Sequence, residues 1–328
     1  MASMPLTAAR PAARSHGSGP AGGPAPGGAP VRRRPPLLHR YSGVLFLVPA
    51  LLYMALFYGY PIVKNVVMGF QEYTTSTFYT GEAPWVGLDN YVGVVTSSIF
   101  GQAMLNTILF TIGSIIGQFV IGLGLALFFS RTFPLSGLLR SLLLLPWLIP
   151  LIAGSIVWRW MLDKDNGVVN RALESIGLVE TGPGWLTSPS LALVAVIVVN
   201  IWIGIPFNAT ILYGGLQNIP EELYEAAQID GAGAIRRFVS ITWPMLRRVV
   251  TVVLVLGVVY TIKVIDIILA LTGGGPANST QTIATQSYHL SFIEFDFGQG
   301  AALSNVLIVM SLIFAIVYLR AARRDVED

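Results

Sequence analysis

Six long apolar segments separated by polar connections dominate the chain after about residue 40. Each holds roughly 20 residues or more with few charged side chains, the length that an α-helix needs to cross about 30 Å of bilayer hydrocarbon. The pattern therefore predicts an all-α, polytopic membrane protein with six transmembrane helices. The predicted spans are residues 42–64, 103–130, 138–160, 191–214, 247–271 and 301–320.

Residues 1–40 precede these segments and are rich in Ala, Pro, Gly, Ser and Arg, with no periodic apolar face. Such a composition cannot bury enough apolar surface to offset the entropy lost on ordering, so we predict a disordered N-terminal tail. A cleaved signal peptide is a poorer interpretation, because the first apolar run starts only near Ser42 and is too long for a signal core. Residues 41–325 are then expected to form one membrane domain.

The composition agrees with a membrane location and excludes several kinds of chemistry. Hydrophobic residues make up 54% of the chain and charged residues 11%, and the mean hydropathy is +0.67. The chain has no cysteine, which excludes disulfides and thiolate metal sites, and its histidines, His16, His39 and His289, are scattered. We therefore predict no metal, no cofactor and no catalytic residue.

The Lys and Arg residues indicate the orientation of the predicted spans. If the spans alternate across the bilayer, fifteen of the twenty basic residues fall on one side. By the positive-inside rule this side is the cytoplasm, so both termini and the loop at 215–246 are predicted to be cytoplasmic. The cluster of Arg32, Arg33, Arg34 and Arg40 could contact nucleic acid, but directly before a span it is better explained as a topological anchor, and no nucleic-acid partner is expected.

The loop at 215–246 is a long charged stretch between two apolar spans. Acidic residues come first and arginines later, with apolar residues spaced about a helical turn apart between them. This pattern predicts a surface helix with Pro220 at its first position and the acidic side chains near the positive end of its dipole. Gly231 then allows a tight turn, and a second short helix can follow over 234–243, ending before Pro244.

The spacing within this loop resembles the EAA loop of membrane subunits in ATP-binding-cassette importers. The matching residues are Glu225-Ala226-Ala227, Gly231 and Ile241-Thr242-Trp243-Pro244, with Trp243 where Leu is usual. In that family the loop docks in a groove of the ATPase subunit and transmits ATP-driven movement. The resemblance implies ATPase-coupling roles for Glu225, Ala226, Ala227, Asp230 and Gly231.

Polar residues inside apolar spans are costly unless they face a cavity or a partner, so they are candidates for a translocation path. In the fourth span one helical face holds Asn200, Ile203, Gly204 and Phe207. An amide, a gap and an aromatic ring together suit a sugar, whose hydroxyls need fixed hydrogen-bond partners and whose C–H faces pack on rings. The alternative is helix packing, with Gly204 allowing close approach and Asn200 bonded to a neighbouring helix.

The fifth span is interrupted by polar and charged residues at Tyr260, Thr261, Lys263 and Asp266. Lys263 and Asp266 are three residues apart and can form an ion pair across one helical turn. A structural ion pair and a contact to substrate are both open for these two residues. The tetrapeptide Gly273–Pro276 is incompatible with a continuing helix, so we expect the span to end there.

Residues 40–325 resemble sugar permeases of this importer class, and in particular the larger membrane subunit of the maltose importer, most clearly from Val199 to Pro276. The resemblance implies the fold of a type I importer permease. It also implies a sugar site lined by Asn200, Ile203, Gly204, Phe207, Tyr260, Thr261 and Val264. Thr261 and Val264 replace asparagines of the maltose subunit, which argues against maltose itself as the substrate.

The predicted function is that of a non-catalytic permease subunit for a sugar or oligosaccharide in a bacterial plasma membrane. The expected partners are a second homologous permease subunit, an ATPase dimer, an extracytoplasmic sugar-binding protein and membrane lipid. Two alternatives stay open: an ion-coupled secondary transporter, and an importer of the same class for a non-sugar solute such as glycerol phosphate. An intramembrane enzyme is not supported, because no nucleophile and base stand at helical spacing.

Overall fold

The computed structural model describes residues 37–327, which are helical in most of their length. The first eight α-helices are α1 (Leu37–Met54), α2 (Tyr60–Met68), α3 (Thr75–Thr80), α4 (Asp89–Thr96), α5 (Phe100–Phe129), α6 (Ser136–Leu143), α7 (Leu145–Leu148) and α8 (Leu151–Met161). The others are α9 (Val168–Ser175), α10 (Pro189–Gln217), α11 (Glu221–Ile229), α12 (Ala234–Arg237), α13 (Trp243–Thr261), α14 (Asp266–Leu271), α15 (Ile283–Phe292) and α16 (Phe297–Glu327). Two π-helical segments, Ala55–Gly59 and Phe238–Thr242, precede α2 and α13.

The chain divides into two compact units, Met1–Ala55 and Leu56–Asp328. In the first unit, every side chain that the structure describes, from Phe46 to Ala55, is exposed. Helix α1 begins at Leu37, so the last four residues of the predicted disordered tail are helical. The rest of that predicted tail, residues 1–36, lies outside the described residues.

Five helical stretches of the described chain are long and apolar enough to cross a bilayer. They are Phe46–Met68, Phe100–Phe129, Pro189–Gln217, Ala234–Thr261 and Phe297–Tyr318. The bent pair Ser136–Leu148 and Leu151–Met161 passes the same test when its two parts are taken together. The prediction of an all-α membrane protein is confirmed, and the number of spans is six when the bent pair is counted as one.

The third predicted span, 138–160, is wrong as a straight helix. Its two halves meet at an angle of 96°. The break falls at Ile149 and Pro150, whose ψ angles of 134° and 131° are extended rather than helical. Because a proline disfavours the α conformation of the residue before it, Pro150 ends α7 and allows α8 to start in a new direction.

The fifth predicted span, 247–271, begins and ends at different residues in the structure. Its helical stretch begins at Ala234, passes through Pro244 and ends at Thr261, and a break at 262–265 separates it from α14. The expected stop before Pro244 does not occur, because the Trp243 N–H donates to the Phe238 carbonyl five residues back. This wider π register accommodates the proline. Helix α14 does end before Gly273–Pro276, as expected.

Helices α5 and α10 lie at the centre of the second unit, and α13 packs against both. Their backbones approach closely where α5 has glycine. A Cβ at Gly117 would lie 2.2 Å from the Ile201 side chain, and one at Gly122 would lie 2.7 Å from Cβ of Asn208. Small residues at such crossings are typical of helix packing in membranes, where burial of apolar surface gives little drive for association.

Large apolar side chains stay exposed on several of these helices. Examples are Val120 on α5, Trp160 on α8 and Val317 on α16, each at least 60% exposed. In water, exposed apolar surface on this scale would favour aggregation. In a bilayer it meets lipid tails or a neighbouring subunit, as the predicted membrane location requires.

Candidate functional site

A cavity of about 420 Å³ lies between the spans of the second unit, lined from α5, α7, α8, α10, α13, the break after α13, and α14. It brings together all nine residues that the sequence indicated for a substrate site or pathway: Asn200, Ile203, Gly204, Phe207, Tyr260, Thr261, Lys263, Val264 and Asp266. Five further residues line it: Gln118, Trp147, Leu151, Gly257 and Ile267. Two stretches more than 40 residues apart in sequence therefore form one site.

Three aromatic rings from three helices form one side of the cavity. The Phe207 ring lies 6.2 Å from the Trp147 ring and 6.1 Å from the Tyr260 ring, measured between centroids. The Phe207 and Tyr260 rings meet edge to face, an arrangement that the charge distribution of aromatic rings favours. Such a group of rings offers flat apolar surfaces to a ligand.

Asn200 lines the same cavity and carries a buried hydrogen-bond donor. It is 4% exposed, and its Nδ2 atom has no hydrogen-bond partner among the residues that the structure describes. A buried donor left unpaired costs roughly 1–3 kcal/mol, so a ligand oxygen at this position would be favoured. The packing alternative, in which this amide bonds to a neighbouring helix, does not hold for its donor nitrogen.

Gly204 allows close approach of a neighbouring helix, as the packing alternative expected. A Cβ placed there would lie 2.2 Å from Cδ of Gln118, because the Gln118 side chain crosses from α5 onto α10 at this residue. Gly204 still lines the cavity. Its lack of a side chain therefore serves the contact between the two helices.

The ion pair that was one of two possibilities for Lys263 and Asp266 is absent from the described structure. Both side chains are exposed and line the cavity, but the ammonium lies 5.3 Å from the centroid of the Tyr260 ring. The helical geometry needed for the pair is lost, because Lys263 lies in the break between α13 and α14 and Asp266 is the first residue of α14. The cavity thus holds one charge of each sign, neither paired with the other.

The sequence carries a signal for some of the cavity residues that the sequence analysis missed, but not for all of them. Gln118 is a polar side chain in a mostly apolar span, so the criterion that indicated Asn200 indicates it too. Trp147 carries no such signal, since it reaches the cavity only because the third span bends at Ile149 and Pro150. Among the described residues, no three His, Cys, Asp or Glu side chains gather where they could hold a metal ion.

The charged loop between the fourth and fifth spans contains the predicted surface helix, α11. Glu225 and Ala226 are exposed on it, and Ala227 is half-buried. Pro220 stands one residue before the helix, with an extended ψ of 133°, so its expected place at the first helical position is wrong by one residue.

The predicted tight turn follows directly after α11. Asp230 ends the helix, and Gly231 has φ +76°, a left-handed conformation that side chains rarely adopt. The loop therefore presents a short acidic helix, closed by a glycine turn, at the start of the long helical stretch that leads to the cavity.

Membrane-spanning helices surround a cavity of mixed polar and aromatic character, and a charged helical loop joins two of them. This arrangement is typical of a component of a transport system. Residues 118–324 match the family model of the binding-protein-dependent transport system inner membrane component. The chain belongs to this family. It is a multi-pass inner-membrane protein, the non-catalytic permease subunit of a binding-protein-dependent ATP-binding-cassette importer. This membership decides against the ion-coupled secondary transporter.

Curated relatives match most of the chain. It is 35% identical over 284 residues to the permease protein of the sulfoquinovosyl glycerol transport system of Agrobacterium fabrum, covering 87% of this chain and 91% of that protein. It is 34% identical over 281 residues to the permease protein of the trehalose/maltose transport system of Thermococcus litoralis, covering 86% and 93%.

Among solved structures, the fold is similar to that of a bacterial ATP-binding-cassette transporter involved in import of the acidic polysaccharide alginate. The TM-score is 0.76 at 24% sequence identity, and the match covers 88% of this chain and 97% of that one. At this identity the likeness extends to the fold alone.

Proposed function

We propose that this permease subunit carries a sugar or oligosaccharide through the cavity between α5, α10 and α13. The observation that carries the proposal is that one cavity is lined both by three aromatic rings and by Asn200, whose buried amide nitrogen has no partner among the described residues. Aromatic faces and fixed hydrogen-bonding groups are what recognition of sugar C–H faces and hydroxyls requires. Two relatives belong to transport systems for trehalose/maltose and for sulfoquinovosyl glycerol, which supports the same class of substrate.

The cavity also offers a reason to test an anionic solute. Lys263 lines it and forms no ion pair with the residues that the structure describes, so a phosphate or sulfonate group would find a positive charge there. The test is calorimetric titration of the binding protein that stimulates ATP hydrolysis by the assembled transporter. Trehalose, sulfoquinovosyl glycerol and glycerol phosphate are titrated separately. Binding of either saccharide supports the proposal, and binding of glycerol phosphate alone would contradict it.

We further infer that the subunit works as a heterodimer with a second homologous permease subunit. An ATPase dimer would contact the α11 side, and the sugar-loaded binding protein would dock on the opposite side. The support is the exposed acidic helix α11 with its glycine turn, together with the excess of basic residues, which by the positive-inside rule favours a cytoplasmic location for this loop and both termini.

The orientation can be tested by cysteine labelling, because the chain has no cysteine of its own. Ile235 is 82% exposed on α12, within the loop at 215–246, and Thr80 is exposed at the end of α3. In intact cells or spheroplasts, a membrane-impermeant maleimide should label Thr80→Cys but not Ile235→Cys. Labelling of both after permeabilisation is the control. Labelling of Ile235→Cys from outside would overturn the orientation and the ATPase contact with it.

The described residues suggest a route from α11 to the cavity. The Tyr224 hydroxyl on α11 and the Thr242 hydroxyl are 2.9 Å apart, and Thr242 is buried in the π-helical segment before α13. The helical stretch that begins at Ala234 runs for 28 residues to Thr261 at the cavity, which is about 42 Å at 1.5 Å per residue. Movement of α11 would therefore act on a rod whose far end carries Tyr260 and Thr261.

Tyr224→Phe tests this route by removing the hydrogen bond while keeping the ring. One neutral hydrogen bond contributes on the order of 1 kcal/mol, so we expect the amount of substrate imported per ATP hydrolysed to fall by about fivefold. The yield of assembled complex should not change. Tyr79→Phe, at a tyrosine that is 82% exposed, is the matched control and should retain normal coupling. Normal coupling in Tyr224→Phe would show that this contact transmits nothing.

A further inference from the structure

Gln118 is a buried amide side chain in a mostly apolar membrane span. It is 6% exposed, lies on α5 and reaches across to α10 at the cavity. Its Nε2 atom donates to the backbone carbonyl of Asn200 at 3.0 Å, and its Oε1 atom accepts from Asn208 Nδ2 at 3.5 Å. Asn208 Nδ2 also donates to the Gly204 carbonyl at 3.0 Å. One amide of α5 is thus bonded to α10 on both sides of Gly204.

These bonds surround the proline in α10. Pro206 has no N–H, so it breaks the helical hydrogen-bond ladder and makes the helix easier to bend there. The carbonyls of Asn200 and Gly204, just before the proline, both accept from side-chain amides. Gln118 and Asn208 therefore hold the backbone of α10 at a point where the helix would otherwise be compliant.

The two helices do not need Gln118 in order to stay together. Their close approach at Gly113, Gly117 and Gly122 rests on van der Waals contact with Ile197, Ile201 and Asn208. Removing the Gln118 bonds would leave these contacts in place. The amide therefore fixes where α10 lies along and around α5, and adds little to how firmly the helices adhere.

Asn200 is the residue of the cavity most affected by such a restraint. Its carbonyl accepts from Gln118, and the donor nitrogen of its own side chain is buried with no partner within the described part of the chain. The side chain and the carbonyl belong to one residue, so fixing the carbonyl also fixes the origin of the side chain. A donor that has to meet a substrate oxygen gains from being held in place before the substrate arrives.

We propose that Gln118 is a positioning residue that fastens α10 at Gly204 and so directs the Asn200 amide toward substrate oxygens in the cavity. The inference rests on the proposed sugar transport through that cavity. It gives Gly204 a definite task, since only a residue without a side chain leaves room for the Gln118 amide. It also adds a residue of the second span to the determinants of specificity.

The test uses Gln118→Met, which keeps the length and volume of the side chain and removes its hydrogen bonds. The assembled transporter is reconstituted in proteoliposomes, and ATP-driven uptake of radiolabelled trehalose and of sulfoquinovosyl glycerol is measured beside complex yield. We expect uptake to fall about tenfold at unchanged yield, with an altered ratio between the two substrates. Gln102→Met is the control, because Gln102 is on the same helix and bonds to Asn106 away from the cavity.

A double-substitution cycle separates positioning from a general structural role. Asn200→Ala alone should lower uptake, and adding Gln118→Met to it should lower uptake little further, because both changes disable the same donor. Gly204→Ala, which displaces the Gln118 amide, should behave like Gln118→Met. Independent, multiplying losses, or normal uptake and selectivity in Gln118→Met, would overturn the inference. Wild-type complex that imports glycerol phosphate and neither saccharide would instead contradict the proposed function.

Discussion

Replacing Glu225 by Lys should abolish substrate uptake while leaving the chain inserted in the membrane. Glu225 is exposed on α11, and from the resemblance to the EAA loop we expect it to contact a basic residue of the ATPase subunit. Reversing its charge would replace an attraction by a repulsion at the contact that carries the movement. The measurements are uptake into cells, the amount of the chain in the membrane fraction, and the amount of ATPase subunit that co-purifies with it.

Glu82→Lys is the matched control for this change. Glu82 is an exposed glutamate in the polar segment between α3 and α4, and the substitution alters the charge of the chain by the same amount. It should retain the co-purified ATPase. If Glu225→Lys imported substrate at close to the normal rate, the coupling role of α11 would be wrong, whatever the cavity binds.

Phe207→Ala and Asn200→Ala should each cut uptake strongly with little loss of assembled complex. Phe207 stands between Trp147 and Tyr260 in the ring group of the cavity, and Asn200 carries the unpaired donor. A side chain that faces a cavity has few packing neighbours to lose when it is shortened. A side chain in a packed core behaves otherwise, because truncating a buried aromatic there costs about 3 to 5 kcal/mol.

Trp202→Ala provides the contrast on the same helix. The Trp202 ring packs on Trp158 with centroids 5.6 Å apart, in a cluster of buried apolar residues. This variant should reduce the yield of complex. Basal and binding-protein-stimulated ATP hydrolysis form a third measurement. A loss of yield in Phe207→Ala that matched its loss of uptake would favour the packing explanation and remove Phe207 from the site.

Much of the site could be predicted because charged and polar groups are costly inside a bilayer. Asn200, Lys263 and Asp266 stood out from their apolar neighbours for this reason. The structure places them in one cavity, although not with every contact expected of them. The rule extends to Gln118, whose position in the second span is as informative as that of Asn200 in the fourth.

The remaining features depend on tertiary structure that a local pattern does not contain. The break at 262–265 has neither glycine nor proline. The sequence therefore gives no signal that the helix stops before Asp266 and that Lys263 and Asp266 do not lie on one helical turn. Pro150 is a signal for a break that the prediction of one span over 138–160 did not use, and neither the angle of 96° nor the resulting approach of Trp147 to Phe207 follows from the sequence. The π register before Pro244 is a similar case, since it allows a proline to stand where a helix was expected to stop.

The most direct measurement of the central claim is solute uptake by proteoliposomes that contain this chain with its partner permease and ATPase subunits. The account predicts that a radiolabelled saccharide recognised by the binding protein accumulates only when ATP and the loaded binding protein are both present, and that Phe207→Ala lowers the rate. Accumulation of a saccharide driven by an ion gradient without ATP, or ATP-driven accumulation of glycerol phosphate and of neither saccharide, would contradict it.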